Sequence, residues 1–62
     1  MTFQQQLINS GYYFQPECGV FENVDRNGNS HSYLEDEDNI WSYEKYNKDG
    51  EFVTSKVFTP AC

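Results

Sequence analysis

Any chemistry in this chain has to come from ten carboxylates, one imidazole and two thiols, set against only four bases. His31 follows an Asn-Gly turn signal and faces Asn23 once that turn closes, and no Ser, Cys or Asp is held beside it by sequence spacing. It is expected as an exposed strand histidine and not as a general base. Cys18 follows Glu17, and a neighbouring carboxylate raises a thiol's pKa instead of activating it. The sequence has no glycine-rich phosphate loop, and two Cys with one His fall short of a structural zinc set. Paired carboxylates abound, but a sheet this small leaves no cleft to drive their pKa values apart. The expectation is a non-enzyme with no metal and no cofactor.

What remains is charge. The formal net charge is -6 and the isoelectric point about 4.3, so nucleic acid and anionic membranes are repelled and a basic protein surface is the expected partner. Glu35, Asp36, Glu37 and Asp38 stand in a row, while Glu22 and Glu44 hold equivalent places in two similar stretches. Tyrosine supplies rigid contact area at low entropy cost, which adds Tyr46 beside Glu44. The expected partner-binding set is therefore Glu22, Glu35, Asp36, Glu37, Asp38, Glu44 and Tyr46. The same charge also keeps a small domain dispersed.

The elements that position these groups follow from an internal echo. FENVDRNGNS (Phe21 to Ser30) and YEKYNKDGEF (Tyr43 to Phe52) share an aromatic residue, Glu, and a turn of Asp or Asn, a base, Asn or Asp, and Gly. In each, the first side chain can cap the turn and the Gly can take the left-handed conformation. That describes a three-residue hairpin loop closing in a bulge, with Asp25 opposite Asn29 and Asn47 opposite Glu51. Counting outward places Phe21 opposite Tyr33, Trp41 opposite Val57 and Tyr43 opposite Ser55, with Val53 beside Lys45.

Thr2 and Gln5 have the form of a capping box, and Phe3, Leu7 and Ile8 share a helical face before Asn9-Ser10-Gly11 ends the run. Residues 1–11 are expected as a short helix that must dock on something apolar, because so short a helix is marginal alone. Residues 12–17 form a connector or an extra strand ended by Pro16, residues 18–59 two β-hairpins, and residues 60–62 a tail. The four like charges of Glu35 to Asp38 favour a solvated loop between the hairpins. The fold expected is α+β, one small domain over residues 1–62, with the helix on an antiparallel four-stranded, or five-stranded, β-meander. One face, with Phe21, Tyr33, Trp41 and Tyr43, lies under the helix. The other carries Val20, Val24, Leu34, Ile40, Tyr46, Phe52 and Phe58 around a polar middle, and needs cover from Tyr12-Tyr13-Phe14, a partner or a second copy.

Asp25-Arg26-Asn27-Gly28-Asn29, with Asp36 at the twelfth place, resembles the opening of an EF-hand calcium loop. Ser30 stands where that family has its turn Gly, the last ligand is shortened and the flanks read as strands, so the segment is taken as a hairpin turn. The repeated aromatic, acid and Asn-Gly or Asp-Gly pattern is similar to the YD hairpin repeats of bacterial shell and toxin proteins, which implies hairpin architecture alone.

The N-terminus lacks the basic start and apolar run of a signal peptide, and no apolar stretch reaches membrane-spanning length, so a cytoplasmic location is expected. Cys18 and Cys62 are then expected mainly as free thiols; a disulfide between them would contribute about 4 kcal/mol. An acidic, aromatic-rich chain of this length resembles in type the inhibitors that phages and mobile elements make against nucleases or polymerases, some of which mimic DNA. The functional expectation is a small acidic binding protein that inhibits or modulates a nucleic-acid-handling partner through its carboxylates. The alternative is a self-associating structural or accessory subunit, a homodimer closed through the second sheet face.

Overall fold

The computed structural model describes residues 2–60; Cys62, and with it any pairing to Cys18, lies outside them. One helix, α1 (Phe3–Asn9), packs on a five-stranded antiparallel sheet, so the fold is α+β. The strands are β1 (Tyr13–Gln15), β2 (Val20–Val24), β3 (Ser30–Glu37), β4 (Ile40–Tyr46) and β5 (Phe52–Phe58), adjacent in chain order.

Both ends of α1 are closed by local chemistry. Thr2 accepts a hydrogen bond from the Gln5 backbone N–H at 3.1 Å, satisfying one of the N–H groups that a helix start leaves unpaired. At the other end Gly11 takes φ +97°, its N–H reaches the Ile8 carbonyl and the Tyr12 N–H reaches Leu7. This paired closure requires a left-handed residue, which Gly supplies without steric cost. Leu7 is buried and Phe3 partly so, whereas Ile8 points to solvent and does not share their contact with the sheet.

The fully buried core is small: Leu7, Phe21 and Trp41, with Phe3, Tyr12, Tyr33 and Phe58 against it. Phe3 is the key of the packing, meeting Trp41, Tyr33 and Phe58 edge to face at centroid distances of 4.9, 5.5 and 5.6 Å. Such contacts set the positive ring edge against a negative face and each adds about 0.5–1.5 kcal/mol to area burial. In a chain this short, aromatic packing supplies area that a larger aliphatic core would otherwise provide.

Both glycine-tipped turns close as expected. The Asp25 and Asn47 N–H groups bond the carbonyls of Asn29 and Glu51, and Gly28 and Gly50 take φ +88° and +85°. A β-carbon at Gly28 would also lie 2.9 Å from Lys48 Cβ, while at Gly50 it would meet nothing within 4 Å. The two turns therefore lean on one another. Gly50→Ala is expected to cost about 1–2 kcal/mol from the left-handed backbone alone, and Gly28→Ala measurably more because the second turn must move. Urea denaturation of the pair checks this; equal losses would mean that the tips do not touch.

Two expectations about the strands are corrected, and one of the three covers considered for the second face is removed. First, β5 is out of step with simple counting. Lys45 pairs with Thr54 and Tyr46 with Phe52, so Val53 is an extra residue, and beyond it Trp41 faces Phe58, Ser42 faces Val57 and Tyr43 faces Lys56. A one-residue shift exchanges the faces of a strand. It brings the Phe58 ring under Phe3 and leaves Val57 70% exposed. Second, Glu35, Asp36 and Glu37 belong to β3, and the connection shrinks to Asp38-Asn39, with Asn39 at φ +61°. The strand survives its charges because β4 offers no acid opposite: Glu35 pairs with Trp41 and Glu37 with Ile40, around a bulge at Asp36. Third, residues 12–14 do not fold over the second face. Tyr13 and Phe14 lie in edge strand β1, Tyr12 packs on Tyr33 and Phe14 on Phe21, all on the helix side except Tyr13.

Candidate functional site

Strand alternation sorts the side chains onto two unlike faces. The helix side carries the rows Phe14, Phe21, Tyr33, Tyr43, Lys56 and Asn23, His31, Lys45, Thr54. The open side carries a central row of Tyr13, Glu22, Ser32, Glu44 and Ser55, flanked by Gln15, Val20, Leu34, Ser42, Val57 and by Val24, Ser30, Tyr46, Phe52. Tyr13, Val24, Ile40, Phe52 and Val57 are exposed there. The open face is thus an apolar border around two carboxylates that flank Ser32, about 10 Å apart at two strand spacings.

The acidic set divides between the faces. Glu22 and Glu44 stand on the open face with Tyr46, whose hydroxyl donates to Glu44 Oε1 at 3.3 Å. The Glu44 charge raises the Tyr46 phenol above its ordinary pKa. Asp36, at the bulge, accepts a hydrogen bond from Ser42 Oγ and lines the open side, and Glu37 ends that side opposite Ile40. Glu35 faces the helix instead, accepting from Gln4 Nε2 at 3.4 Å and from the Asn39 N–H at 2.9 Å. Asp38 lies in the turn. Of the seven expected residues, the fold brings Glu22, Asp36, Glu37, Glu44 and Tyr46 onto one surface and leaves Glu35 and Asp38 off it.

The bases are segregated just as sharply. Arg26 and Lys48 occupy the two glycine-tipped turns, and Lys45 lies in the helix-side row with His31. Lys56 extends over the Phe58 and Tyr43 rings at 5.3 and 5.9 Å, where the ring faces attract a cation. None of the four Lys and Arg residues lies on the open face. Between Val20, Ser32, Leu34, Asp36, Ser42 and Glu44 that face holds a shallow depression of about 290 Å³.

His31 is not the isolated, exposed residue that sequence spacing implied. Its Nε2 lies 3.0 Å from Asp25 Oδ2 and its Nδ1 2.7 Å from the Tyr43 hydroxyl, and its side chain is only 19% exposed. Asp25 Oδ1 meanwhile accepts the N–H groups of Asn27 and Asn29, at 2.9 and 3.0 Å. The signal was present in the register: Asp25 and Tyr43 are the diagonal neighbours of His31 on the same face of adjoining strands, within reach of long side chains. An Asp-His-Tyr chain has the form of an activated nucleophile, but burial pushes the Tyr43 phenol upward from its ordinary pKa of 10. Tyr43 is therefore held protonated, and the chain of bonds ties the first turn to β4.

The His31 hydrogen bond, supported by the backbone donors and opposed by desolvation, lowers Asp25 from 3.8 to about 2. A carboxylate whose folded pKa is depressed adds stability that is complete above its unfolded pKa and is lost as pH falls through the folded value. Urea midpoints are expected to decline between about pH 4 and pH 2. Asp25→Asn retains an oxygen for the turn but no charge for His31, so its decline should be shallower. An identical slope would show that the bond contributes nothing.

Among the described residues no group of His, Cys, Asp and Glu is placed to hold a metal ion, and no helix is long and apolar enough to cross a membrane. The Asp25 to Asn29 segment is a hairpin turn, with Asp36 in β3. Comparison with known protein families, curated proteins and solved structures finds no match to this chain.

Proposed function

We propose that the chain is a binding protein that modulates a larger partner by occupying a basic surface on it with the open sheet face. One observation carries this reading: Glu22, Asp36, Glu37 and Glu44 share that face with exposed apolar side chains and with none of the four bases. Among the described residues none of these carboxylates forms an ion pair with Lys or Arg, so opposite charge from outside is the complement that fits them. The apolar border supplies the desolvated area that charge alone does not. Basic surfaces of this kind characterise nucleic-acid-binding proteins, so the carboxylates would stand where phosphates otherwise lie. A second copy fits less well. Closing two open faces together would bring Glu22 and Glu44 of each chain into one interface without a base.

The test is capture at low salt, elution by rising salt or by excess duplex DNA, and repetition with Glu22→Gln/Glu44→Gln. Proteins that elute with either eluent and are not retained by the variant support the reading. Retention unchanged in the variant, or a dimer in sedimentation that the same substitutions strengthen, overturns it.

A further inference from the structure

Resting on that reading and refining it, we infer that the depression on the open face receives one arginine side chain of the basic partner. Its walls divide by chemistry. Val20 and Leu34, paired across β2 and β3, supply aliphatic surface, while Ser32 and Ser42 supply hydroxyls and Asp36 and Glu44 carboxylates. A long cationic side chain has the same division, laying its methylenes on apolar surface and presenting its head to polar groups.

Both carboxylates are already oriented. Asp36 accepts from Ser42 Oγ and Glu44 from the Tyr46 hydroxyl, and each such bond uses one of about four acceptor sites that a carboxylate carries. Guanidinium presents five N–H donors in a plane, against three on a compact ammonium, and so matches several acceptors spread around a rim. The volume, about 290 Å³, lies just below the range for ligand pockets, about 300–1,000 Å³, and suits one side chain better than a larger organic ligand. Lys45 and Lys56 lie across the sheet and Arg26 and Lys48 sit in the two glycine-tipped turns, so none of the four bases lines the depression.

Amide shifts of isotope-labelled chain would be followed during titration with the capped tripeptide acetyl-Val-Arg-Val-amide, its lysine counterpart, and its citrulline counterpart, which keeps the shape and loses the charge. The arginine peptide is expected to move Val20, Ser32, Leu34 and Ser42 in a saturable way. The lysine peptide should bind several-fold more weakly and the citrulline peptide at least tenfold more weakly. Glu44→Gln should weaken arginine-peptide binding about tenfold, and Glu22→Gln, on the same face but outside the depression, less than twofold. Shifts spread evenly over all acidic segments, equal binding of the lysine or citrulline peptide, or equal effects of Glu22→Gln and Glu44→Gln would overturn the assignment. If partner capture still depends on Glu22 and Glu44 together while the arginine peptide shows no focus, the depression is wrong and the docking face stands. If capture is indifferent to both residues while the peptide does focus, the docking face is wrong and the assignment of the depression to an arginine of that partner falls with it.

Discussion

Trp41→Ala is expected to leave the chain largely unfolded at 25 °C. Trp41 is 2% exposed and lies beneath Leu7 and Phe3, with Phe21 beside it at a centroid distance of 6.0 Å. Truncating a buried Trp to Ala costs about 3–5 kcal/mol, from lost transfer energy and the cavity left behind. A domain of this length has about 3–9 kcal/mol in total, so the loss is comparable with the whole. The loss has no second core to fall back on, because the other face of the sheet is not covered. Far-UV circular dichroism in urea reads the effect without relying on the indole. The companion variants separate the two possible registers of β5. Phe58→Ala should cost on the order of 2 kcal/mol, and Val57→Ala no more than about 0.5 kcal/mol, as for an exposed site. The opposite order would restore the unbulged pairing of Trp41 with Val57.

The largest effect on binding is expected from reversing charge at the centre of the open face. Glu22→Lys/Glu44→Lys places two cations where a basic partner must dock, and juxtaposed like charges cost several kcal/mol across an interface. About 4 kcal/mol corresponds to a loss of roughly a thousandfold in affinity. The fold should tolerate the change, since Glu22 and Glu44 have Ser32 between them and Tyr13 and Ser55 outside them, and no base whose pairing would be lost. Asp49→Asn alters the charge at the turn end, off this face, and should leave affinity within twofold. Calorimetric titration of the captured partner with each variant measures both. Similar losses in Asp49→Asn and in the double reversal would point to net charge and away from a defined surface.

Much of this architecture is legible in residue types. The Asp-Arg-Asn-Gly and Asn-Lys-Asp-Gly turns fix where two hairpins close, and from them follow the pairing of Phe21 with Tyr33 and the placement of Trp41 under the helix. The bulge at Val53 is not legible, because one extra residue in a strand leaves no mark on composition. Its benefit, Phe58 against Phe3, arises only once the helix has docked. The run Glu35 to Asp38 misleads for a different reason. Four adjacent charges look mutually repulsive in sequence, but a strand turns neighbours to opposite faces, and the Asn39 backbone and Ser42 hydroxyl donate to two of them. The surroundings of His31 are not legible along the chain, because its partners Asp25 and Tyr43 are diagonal across strands. The candidate surface follows the same logic: Glu22 and Glu44 could be matched from the repeat, whereas the absence of Lys and Arg beside them depends on the parity of β5, which puts Lys56 on the helix side.

Charge sorting between the two faces can be measured without any partner, by proton relaxation with a cationic and an anionic nitroxide of equal size. Protons of Val20, Ser32, Leu34 and Ser42 should be relaxed several-fold more by the cation than by the anion, with the ratio falling toward or below unity at Lys45 and Lys56. Equal ratios on the two faces would contradict the existence of a negative docking surface.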